Sequence, residues 1–503
     1  MEQRPSVVAR RIADAPSLCG TRSVEGLEVV VTGITHDSRR VRPGDLYVAL
    51  PGARTHGARF CEQAETRGAV AILTDEAGAR IGVPPGIPVI QVSRPRAILG
   101  DLSAWAYGNP ADDLTMIGVT GTNGKTTTTY LLEAGLSAAG LLTGVIGTTG
   151  VHVGPDRWPS ARTTPEAPDL HALLGVMRDA RVTHVAMEVS SHALALGRLD
   201  GVVFDLAAFT NLSQDHLDFH ASMQDYYAAK AGLFDPGRAE SALICVDDDW
   251  GRRLASGCQI PARTYSLVAD ADWTIGDLEV AESGAWEGIA VGPGGVRTRL
   301  GSGLPGRFNQ ANALGALACC AALGIDLAVA ADGIRECRGV PGRMEVVVTG
   351  DYCGIVDYAH SPDSVARAIE TARHLSTGRV LVAIGCGGDR DSAKRGDMGR
   401  AAAAGSDLLV VTDDNPRSEE PGTIRAAVLD GVARVPSSSR PETVQIADRR
   451  AAIGFLVSRA SRGDVVLVLG KGDESGQEVS GVVYPFDDRE VLAELAAEGR
   501  NEA

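Results

Sequence analysis

The chain has 503 residues, of which 44% are hydrophobic and only 4% aromatic, and it contains 60 glycines. This length exceeds what a single hydrophobic core organises, so we expect about three domains, built from repeated strand-helix units rather than aromatic-rich sandwiches. The formal net charge of −16 argues against a nucleic-acid-binding surface, which would carry a basic patch.

The N-terminus carries no signal of export or membrane insertion. The segment Met1-Glu-Gln-Arg-Pro-Ser6 lacks an apolar stretch with a cleavage site, and no apolar run reaches the roughly 20 residues of a membrane helix. The nine cysteines show no metal-ligand spacing, and Cys319-Cys320 lies in an Ala-rich helical pattern. We therefore expect a cytoplasmic protein without a membrane span, with reduced cysteines and no partner nucleic acid.

Turn-forming residues cluster at 107–112 and at 338–343, and these clusters predict two domain joints. The resulting domains are 1–110, 111–342 and 343–503. In the first, strand patterns at 43–49 and 69–74 indicate a small α/β domain. In the other two, apolar runs alternate with helical patterns, which predicts parallel sheets with crossover helices and with ligand residues at the carboxyl ends of the strands. The predicted strands are 116–120, 182–188, 204–210, 354–357, 380–384, 408–412 and 465–469.

A phosphate-binding loop follows the first strand of the middle domain. Gly118-Val-Thr-Gly-Thr-Asn-Gly-Lys-Thr-Thr127 resembles the G-x-x-x-x-G-K-[ST] pattern, although Val119 stands at its first glycine position. Glycines let backbone N–H groups face phosphates, Lys125 neutralises phosphate oxygens, and the hydroxyl of Thr126 can reach Mg²⁺. A tight turn that contains a lysine by coincidence is the alternative. The pattern predicts an ATP-binding enzyme.

Candidate metal ligands follow the next two strands. Glu188 ends an apolar run, where a carboxylate for Mg²⁺ is expected, but it could instead cap the next turn. The segment 211–220 contains two Asp and two His, including His216, and is either a cation site or a turn stabilised by Asx hydrogen bonds. Lys230 taken alone is typical of a solvated helix lysine.

Together these motifs resemble the Mur ligase family of cell-wall synthesis. The resemblance runs from His36-Asp-Ser-Arg39 and Pro43-Gly-Asp45 to Phe486-Asp-Asp-Arg-Glu-Val491, which is nearly the whole chain. Within the family, the chain looks like the synthetases that add the third residue of the stem peptide. The resemblance implies three α/β domains: an N-terminal UDP-substrate domain, a central P-loop ATPase domain with a parallel sheet, and a Rossmann-like C-terminal domain that binds the amino acid.

The resemblance also implies roles for individual residues. The cofactors would be ATP, Mg²⁺ and a CO₂-derived carbamate on Lys230, with Lys125, Glu188, His216 and Lys230 as the catalytic group and Thr126, Glu188, His216 and carbamylated Lys230 as metal ligands. ATP would contact Gly121, Thr122, Asn123, Gly124, Lys125, Thr126, Thr127, Asn309, Asn312, Arg343 and Asp357. The UDP-substrate would contact Ser38, the turn 53–55, Thr163, Thr164, Ser190 and Arg198. The amino acid would contact Arg390, Asp414, Asn415, Pro416, Arg417, Gly470 and Glu474.

Asp414-Asn-Pro-Arg417 matches the family's signature for diaminopimelate, whose distal carboxylate Arg417 would bind in bidentate fashion while rejecting lysine. Without the resemblance, this stretch is a turn with Ser418 as a helix N-cap, and both interpretations can hold together. Two departures from the family pattern are Leu196, where some relatives carry Gln, and Asp473, where many carry His.

The activity implied is ATP-dependent addition of diaminopimelate to UDP-MurNAc-L-Ala-D-Glu through an acyl phosphate, by an enzyme expected to be monomeric. Three alternatives stay open. One is a paralogue that ligates another amino acid in a different peptide pathway, and a second is a folylpolyglutamate synthase, which lacks the uridine domain and the Asp-Asn-Pro-Arg pocket. The third is a nucleotide-binding regulator, which would not need a complete metal and phosphoryl site.

Overall fold

Three sheets organise the part of the chain that this computed structural model describes, namely residues 4–6, 8–18, 28–52 and 55–501. Ala53 and Arg54 of the predicted uridine turn lie outside these residues. The first sheet has four parallel strands in the order Gly33–Thr35, Asp45–Ala49, Ala71–Thr74 and Val89–Gln91. Its helices are Cys61–Thr66, Glu76–Ile81 and Pro95–Ala106, and the pair Arg10–Arg11 and Val30–Val31 is antiparallel.

The second sheet is the largest in the described chain. Its strands lie in the order Asp156–Trp158, Gly150–Val153, Thr143–Gly147, His184–Glu188, Thr115–Thr120, Phe204–Phe209, Ala239–Cys245 and Ala262–Tyr265. The last six are parallel, whereas the first two form antiparallel hairpins. The helices of this region are Lys125–Ala138, Ala167–Asp179, Ser191–Ala195, Met223–Ala231, Asp249–Gly257, Arg307–Ala322 and Leu327–Glu336. A separate antiparallel sheet comprises Thr274–Val280, Trp286–Val291 and Arg297–Ser302.

The third sheet lies in the order Glu345–Val348, Cys353–Asp357, Val465–Leu469, Val380–Ile384, Leu408–Val411 and Glu442–Gln445, with only the first strand antiparallel. Its helices are Pro362–Leu375, Lys394–Gly405, Pro421–Ala433, Arg449–Arg459 and Asp488–Asn501, and Gly476–Val479 pairs with Val482–Pro485 in a hairpin. The predicted α/β architecture is confirmed. Among the described helices, none is long and apolar enough to cross a membrane.

The strands are apolar on both faces because helices cover both sides of the sheets. In the strand Thr115–Thr120, Met116 packs into one core cluster, whereas Ile117 and Val119 pack into another. The second cluster includes Leu131 and Leu132 of the helix that begins at Lys125, and both side chains are fully buried. Burying a leucine stabilises the fold by about 1.5–3 kcal/mol. This packing fixes the start of that helix at the edge of the sheet.

Candidate active site

The carboxyl ends of the second and third sheets face one cleft of about 1040 Å³. The strand that ends at Thr120 leads to the phosphate loop, and the one that ends at Glu188 carries a predicted metal ligand. From the third sheet, Asp357 and Gly470 reach the cleft at the ends of two adjacent strands. Parallel sheets bind ligands at this edge, so we take this cleft as the candidate active site.

Glycine is required at two positions of the phosphate loop. Gly121 and Gly124 have φ of +149° and +87°, which L side chains rarely adopt. A Cβ atom at Gly121 would overlap the hydroxyl of Thr210, and one at Gly124 would overlap the side-chain oxygen of Asn312. The absence of side chains here leaves a backbone cradle that opens into the cleft, and this cradle fits a phosphate group.

Two lysines converge on the same loop carbonyl. Lys125 Nζ donates to the carbonyl oxygens of Gly121 at 3.0 Å and Thr122 at 2.8 Å, and Lys230 Nζ donates to Gly121 O at 2.7 Å. Burial lowers the pKa of both lysines below the usual range, that of Lys230 strongly. Lys230 is 1% exposed, so its interpretation as a solvated helix lysine is wrong. It lies behind the loop, and Lys125 lines the cleft.

Glu188 is held by a neighbouring turn. Its Oε1 accepts from the backbone N–H of Thr148 at 2.8 Å, and its Oε2 accepts from the Thr148 hydroxyl at 3.2 Å. The same hydroxyl lies 2.9 Å from that of Thr163. Nothing in the sequence singles out Thr148, because only the hairpin between Thr143–Gly147 and Gly150–Val153 brings it beside Glu188.

His216 lies beside a cluster of charges that joins the two sheets. Its Nε2 is 3.5 Å from Asp215 Oδ2, and partial burial lowers its pKa, so the imidazole is neutral at neutral pH. Lys394 Nζ, from the helix Lys394–Gly405, lies 2.9 Å from Asp215 Oδ1, and His360 Nε2 lies 3.4 Å from Asp215 Oδ2. Although burial favours the neutral acid, these neighbours hold the pKa of Asp215 well below its usual range. Asp215 lies in the segment rich in Asp and His, whereas no sequence signal indicates Lys394.

The oxygen donors that Mg²⁺ prefers are present, but they are spread along the cleft. Thr126 and Glu188 line it together with Asp215. Within the described ranges, no three His, Cys, Asp or Glu side chains stand close enough together to hold a metal ion. Phosphate oxygens of a bound nucleotide commonly complete such sites. A site with one or two protein oxygens therefore suits Mg²⁺, and a full set of protein ligands is not required.

Four of the predicted contacts to the UDP-substrate line the cleft, namely Thr163, Thr164, Ser190 and Arg198. The Thr164 hydroxyl donates to the Glu188 carbonyl oxygen at 2.8 Å and accepts from the Ser190 N–H at 3.1 Å. Arg198 NH1 donates to the Thr164 carbonyl oxygen at 3.3 Å, and its Nε is 2.9 Å from Glu166 Oε1. Glu166 also pairs with two further arginines, Arg96 and Arg162. This carboxylate fixes an arginine-rich surface that suits an anionic ligand.

Asn312 lines the cleft behind the phosphate loop and is fixed by Asn309. Asn312 Nδ2 donates to Asn309 Oδ1 at 3.1 Å, and Asn309 Nδ2 donates to the Pro305 carbonyl oxygen at 2.8 Å. Asn309 therefore holds Asn312 in place from outside the cleft.

Across the cleft, Asp357 accepts from the N–H groups of Met344 and Ala359. Burial raises the pKa of Asp357.

The predicted amino-acid pocket forms a connected network. Asn415 Nδ2 donates to Glu474 Oε2 at 2.6 Å. Lys471, which is fully buried, donates to Asn415 Oδ1 at 3.2 Å and to Glu474 Oε2 at 3.0 Å. Arg417 NH1 donates to the Gly388 carbonyl oxygen at 2.7 Å. Reasoning from sequence missed Lys471, although it lies directly after Gly470.

Arg417 has φ of +53°, a left-handed conformation that costs an L residue about 1–2 kcal/mol. Its backbone is held by hydrogen bonds to both sides, from its own N–H to Glu478 O at 3.0 Å and from the Ser480 N–H to its carbonyl at 2.7 Å. The next helix begins at Pro421 with Glu420 as N-cap, so the prediction of Ser418 as N-cap is wrong. The Ser418 hydroxyl donates instead to Asp389.

Most of the predicted site residues line this cleft. Those that do are Thr122, Asn123, Gly124, Lys125, Thr126, Thr127, Thr163, Thr164, Glu188, Ser190, Arg198, His216, Asn312, Arg343, Asp357, Arg390, Asp414, Asn415, Arg417, Gly470 and Glu474. The others, Gly121, Lys230, Asn309, Pro416 and Ser38, do not border it. Ser38 lies near the first sheet and donates to Gln63 Oε1 at 2.6 Å.

The fold and cleft define a phosphate-loop enzyme of three α/β units. Family profiles agree in chain order: "Mur ligase family, catalytic domain" matches residues 30–107, "Mur ligase middle domain" matches 119–320, and "Mur ligase, glutamate ligase domain" matches 342–472. The chain belongs to the Mur ligase family.

Relatives that match nearly the whole chain carry more specific names than the family profiles. The chain is 50% identical over 491 residues to UDP-N-acetylmuramoyl-L-alanyl-D-glutamate–2,6-diaminopimelate ligase of Streptomyces coelicolor, covering 97% of this chain and 96% of that protein. It is 41% identical to the UDP-N-acetylmuramyl-tripeptide synthetase of Leifsonia xyli, covering 96% and 95%. A solved structure of a UDP-N-acetylmuramoyl-L-alanyl-D-glutamate–2,6-diaminopimelate ligase superposes with a TM-score of 0.67 at 31% identity, covering 98% of this chain and all of that one.

Proposed function

We propose that the chain is a MurE-type ligase, which joins the γ-carboxylate of UDP-MurNAc-L-Ala-D-Glu to an amino group of diaminopimelate with conversion of ATP to ADP and phosphate. The observation that carries this proposal is the convergence of the phosphate loop of the second sheet and the Arg417 pocket of the third on one cleft. The relative from Streptomyces coelicolor supports the choice of substrates, because its similarity extends over nearly the whole chain.

Different residues of the cleft serve the two steps of the proposed reaction. Phosphoryl transfer from ATP to the γ-carboxylate gives an acyl phosphate, and the diaminopimelate amine then displaces phosphate to form the amide. Lys125 and the loop N–H groups bind the phosphates, and Arg198 orients the peptide substrate through its charge. In this proposal the residues of the third sheet bind the amino acid on the opposite side of the cleft, so the second step becomes a reaction between two groups held in position.

Thr126, Glu188 and His216 are the residues that would hold Mg²⁺, which offsets phosphate charge when it is bound. Lys230 is a suitable site for the carbamate, because CO₂ reacts with a neutral amine and burial lowers the pKa of this one. Addition of CO₂ to that amine with loss of a proton gives an anionic group beside the loop. NMR of the protein with isotope-labelled bicarbonate should show a carbamate signal that is absent from Lys230→Met. A Lys230→Met variant with the same signal would contradict the assignment.

We also propose the domain division 1–110, 111–342 and 343–503. Asn109, with φ of +48°, and Gly342, with φ of +63°, both lie in turns between regular elements, which suits them to be joints. Limited proteolysis should cleave near these turns before it cleaves within the sheets. Early cleavage within a sheet would contradict the division.

A paralogue acting on another amino acid is a second candidate. It is favoured by Asp473, which forms an ion pair with Arg343 at 3.2 Å on the rim of the cleft, and by a relative whose name specifies no amino acid. Phosphate release distinguishes the two candidates, with ATP, Mg²⁺ and UDP-MurNAc-L-Ala-D-Glu and with meso-diaminopimelate, LL-diaminopimelate or L-lysine in separate reactions. Release with a diaminopimelate isomer but not with lysine supports the first candidate, and release with lysine alone contradicts it.

A further inference from the structure

The loop after the strand Val465–Leu469 carries two adjacent acids that face different partners. Asp473 Oδ1 lies 3.2 Å from Arg343 NH1, and both side chains are largely buried, at 14% and 15% exposed. Glu474, the next residue, accepts from Asn415 Nδ2 at 2.6 Å and belongs to the amino-acid pocket. One short loop therefore contacts both the pocket and the residue that follows the second domain joint.

Arg343 is held so that it points at the phosphate loop. Its guanidinium carbon lies 4.1 Å from the centre of the Tyr358 ring, which fixes the plane of the group. Its NH2 lies 3.5 Å from the hydroxyl of Thr126, the residue after the loop lysine. Within the described ranges, Asp473 is the carboxylate that pairs with Arg343. The stacking sets the plane of the guanidinium, and Asp473 sets which edge of it faces Thr126.

The loop and the joint are also in direct backbone contact. Gly342 and Gly472 have φ of +63° and +55°, and a Cβ atom on Gly342 would overlap the backbone nitrogen of Asp473. A Cβ atom on Gly472 would come within 2.8 Å of the Gly342 carbonyl oxygen. No side chain separates the two segments, so a displacement of the loop is transmitted to Arg343.

We infer that Asp473 is a positioning residue that couples the amino-acid pocket to the phosphate site by holding Arg343 against Thr126. Occupation of the pocket at Glu474 fixes the loop, the loop fixes Arg343, and Arg343 presents its remaining N–H groups to a phosphate beside Thr126. Such coupling is reciprocal, so nucleotide must strengthen amino-acid binding by the same factor. The identity of the two ligands rests on the proposed function, whereas the link from Asp473 to the phosphate site does not.

The test is the isosteric variant Asp473→Asn, which removes the charge and keeps the shape. Calorimetry measures the Kd of ADP with and without saturating meso-diaminopimelate. In the parent we expect the amino acid to tighten ADP binding by about 5-fold or more, the lower end of typical allosteric coupling. In Asp473→Asn we expect that factor to fall to near one and the KM for ATP to rise about 5-fold or more, while the KM for the UDP-substrate is unchanged. An unchanged coupling factor, or a parent that binds both ligands without coupling, overturns the inference.

Two variants separate this role from a general effect on folding. Asp473→Glu keeps the charge and should restore most of the coupling. Asp332→Asn removes the same charge from an ion pair with Arg335 on the helix Leu327–Glu336, outside the cleft, and should change neither Kd. Thermal unfolding checks that each variant folds, and if Asp473→Asn does not, Asp473→Ser is measured in its place.

If the proposed function is wrong, the same calorimetry gives a different result. In that case the parent binds no diaminopimelate, but the Kd of ADP alone still reports on Arg343. A weakening of about 5-fold or more in Asp473→Asn but not in Asp332→Asn then supports the positioning role. Equal affinities in the parent and Asp473→Asn overturn it.

Discussion

Replacing Arg417 with glycine should abolish binding of the distal carboxylate while leaving the fold intact. The guanidinium has five N–H groups: NH1 donates to Gly388 O, Nε lies 3.5 Å from Glu478 Oε2, and the side chain is 21% exposed. Two charge-assisted hydrogen bonds to a carboxylate contribute about 1.5–3 kcal/mol each, and partial exposure reduces the total to about 2–4 kcal/mol. The kcat/KM for diaminopimelate should therefore fall by about 30-fold to 700-fold.

Stability should change little because opposing effects cancel. Glycine relieves the left-handed backbone strain at position 417, which stabilises the folded variant by about 1–2 kcal/mol. It also raises the conformational entropy of the unfolded chain, which destabilises the variant by about 0.5–1 kcal/mol. The lost hydrogen bond to Gly388 contributes about 1 kcal/mol, and the lost ion pair with the half-exposed Glu478 contributes at most about 0.5 kcal/mol. These effects sum to within about 1 kcal/mol of zero.

The assay combines phosphate release, at saturating ATP and UDP-substrate, with urea unfolding. Arg417→Ala is the matched control, because it removes the guanidinium but keeps the strain. It should lose as much kcat/KM as Arg417→Gly and be less stable than that variant by about 1 kcal/mol. A kinetic loss below about 5-fold in both variants would refute the assignment of Arg417 to the carboxylate.

Three further predictions follow from the same contacts. Lys125→Ala should lower kcat/KM for ATP by about 100-fold or more, because the loop loses its cation, and phosphate release equal to that of the parent would favour a nucleotide-binding regulator. Glu188→Gln should raise the Mg²⁺ concentration needed for half-maximal activity, and an unchanged titration would remove Glu188 from the metal site. His171 is fully buried against the Asp200 carbonyl, and burial lowers its pKa to about 4. The unfolded chain therefore binds a proton first as the pH falls below about 6.5, so stability should drop by about 2 kcal/mol between pH 7 and pH 5. His171→Gln should flatten this dependence, and an equal pH slope in urea unfolding would contradict it.

The elements that the sequence predicted best are those whose signal is local. Fully apolar runs bounded by turns, such as 380–384 and 465–469, were found at the right residues because a strand covered on both faces must be apolar throughout. The phosphate loop was found because its glycines and lysine are adjacent in the chain and each meets a separate physical requirement. The domain boundaries and the roles of the site residues stay predictions.

The features that sequence reasoning missed depend on contacts between distant segments. Of the antiparallel strands at 274–302, only Trp286–Val291 alternates regularly between buried and half-buried residues. Thr274–Val280 has no buried residue, and in Arg297–Ser302 the buried residues are confined to the second half, so the outer two strands lack the alternation typical of a half-buried strand. The ion pair of Asp215 with Lys394 joins residues 179 positions apart, and no local pattern indicates it. Lys471 is buried because Asn415, Glu474 and a backbone carbonyl accept its three protons, which only the folded loop can arrange.

The central claim, amide formation through an acyl phosphate, is tested most directly by following a heavy-oxygen label. UDP-MurNAc-L-Ala-D-Glu labelled in the γ-carboxylate is incubated with the protein, ATP, Mg²⁺ and meso-diaminopimelate, and both products are analysed by mass spectrometry. We predict one labelled oxygen in the released phosphate and a UDP-tripeptide that carries one added diaminopimelate residue and retains the other labelled oxygen. Unlabelled phosphate, or ATP consumption without a tripeptide, would contradict the account.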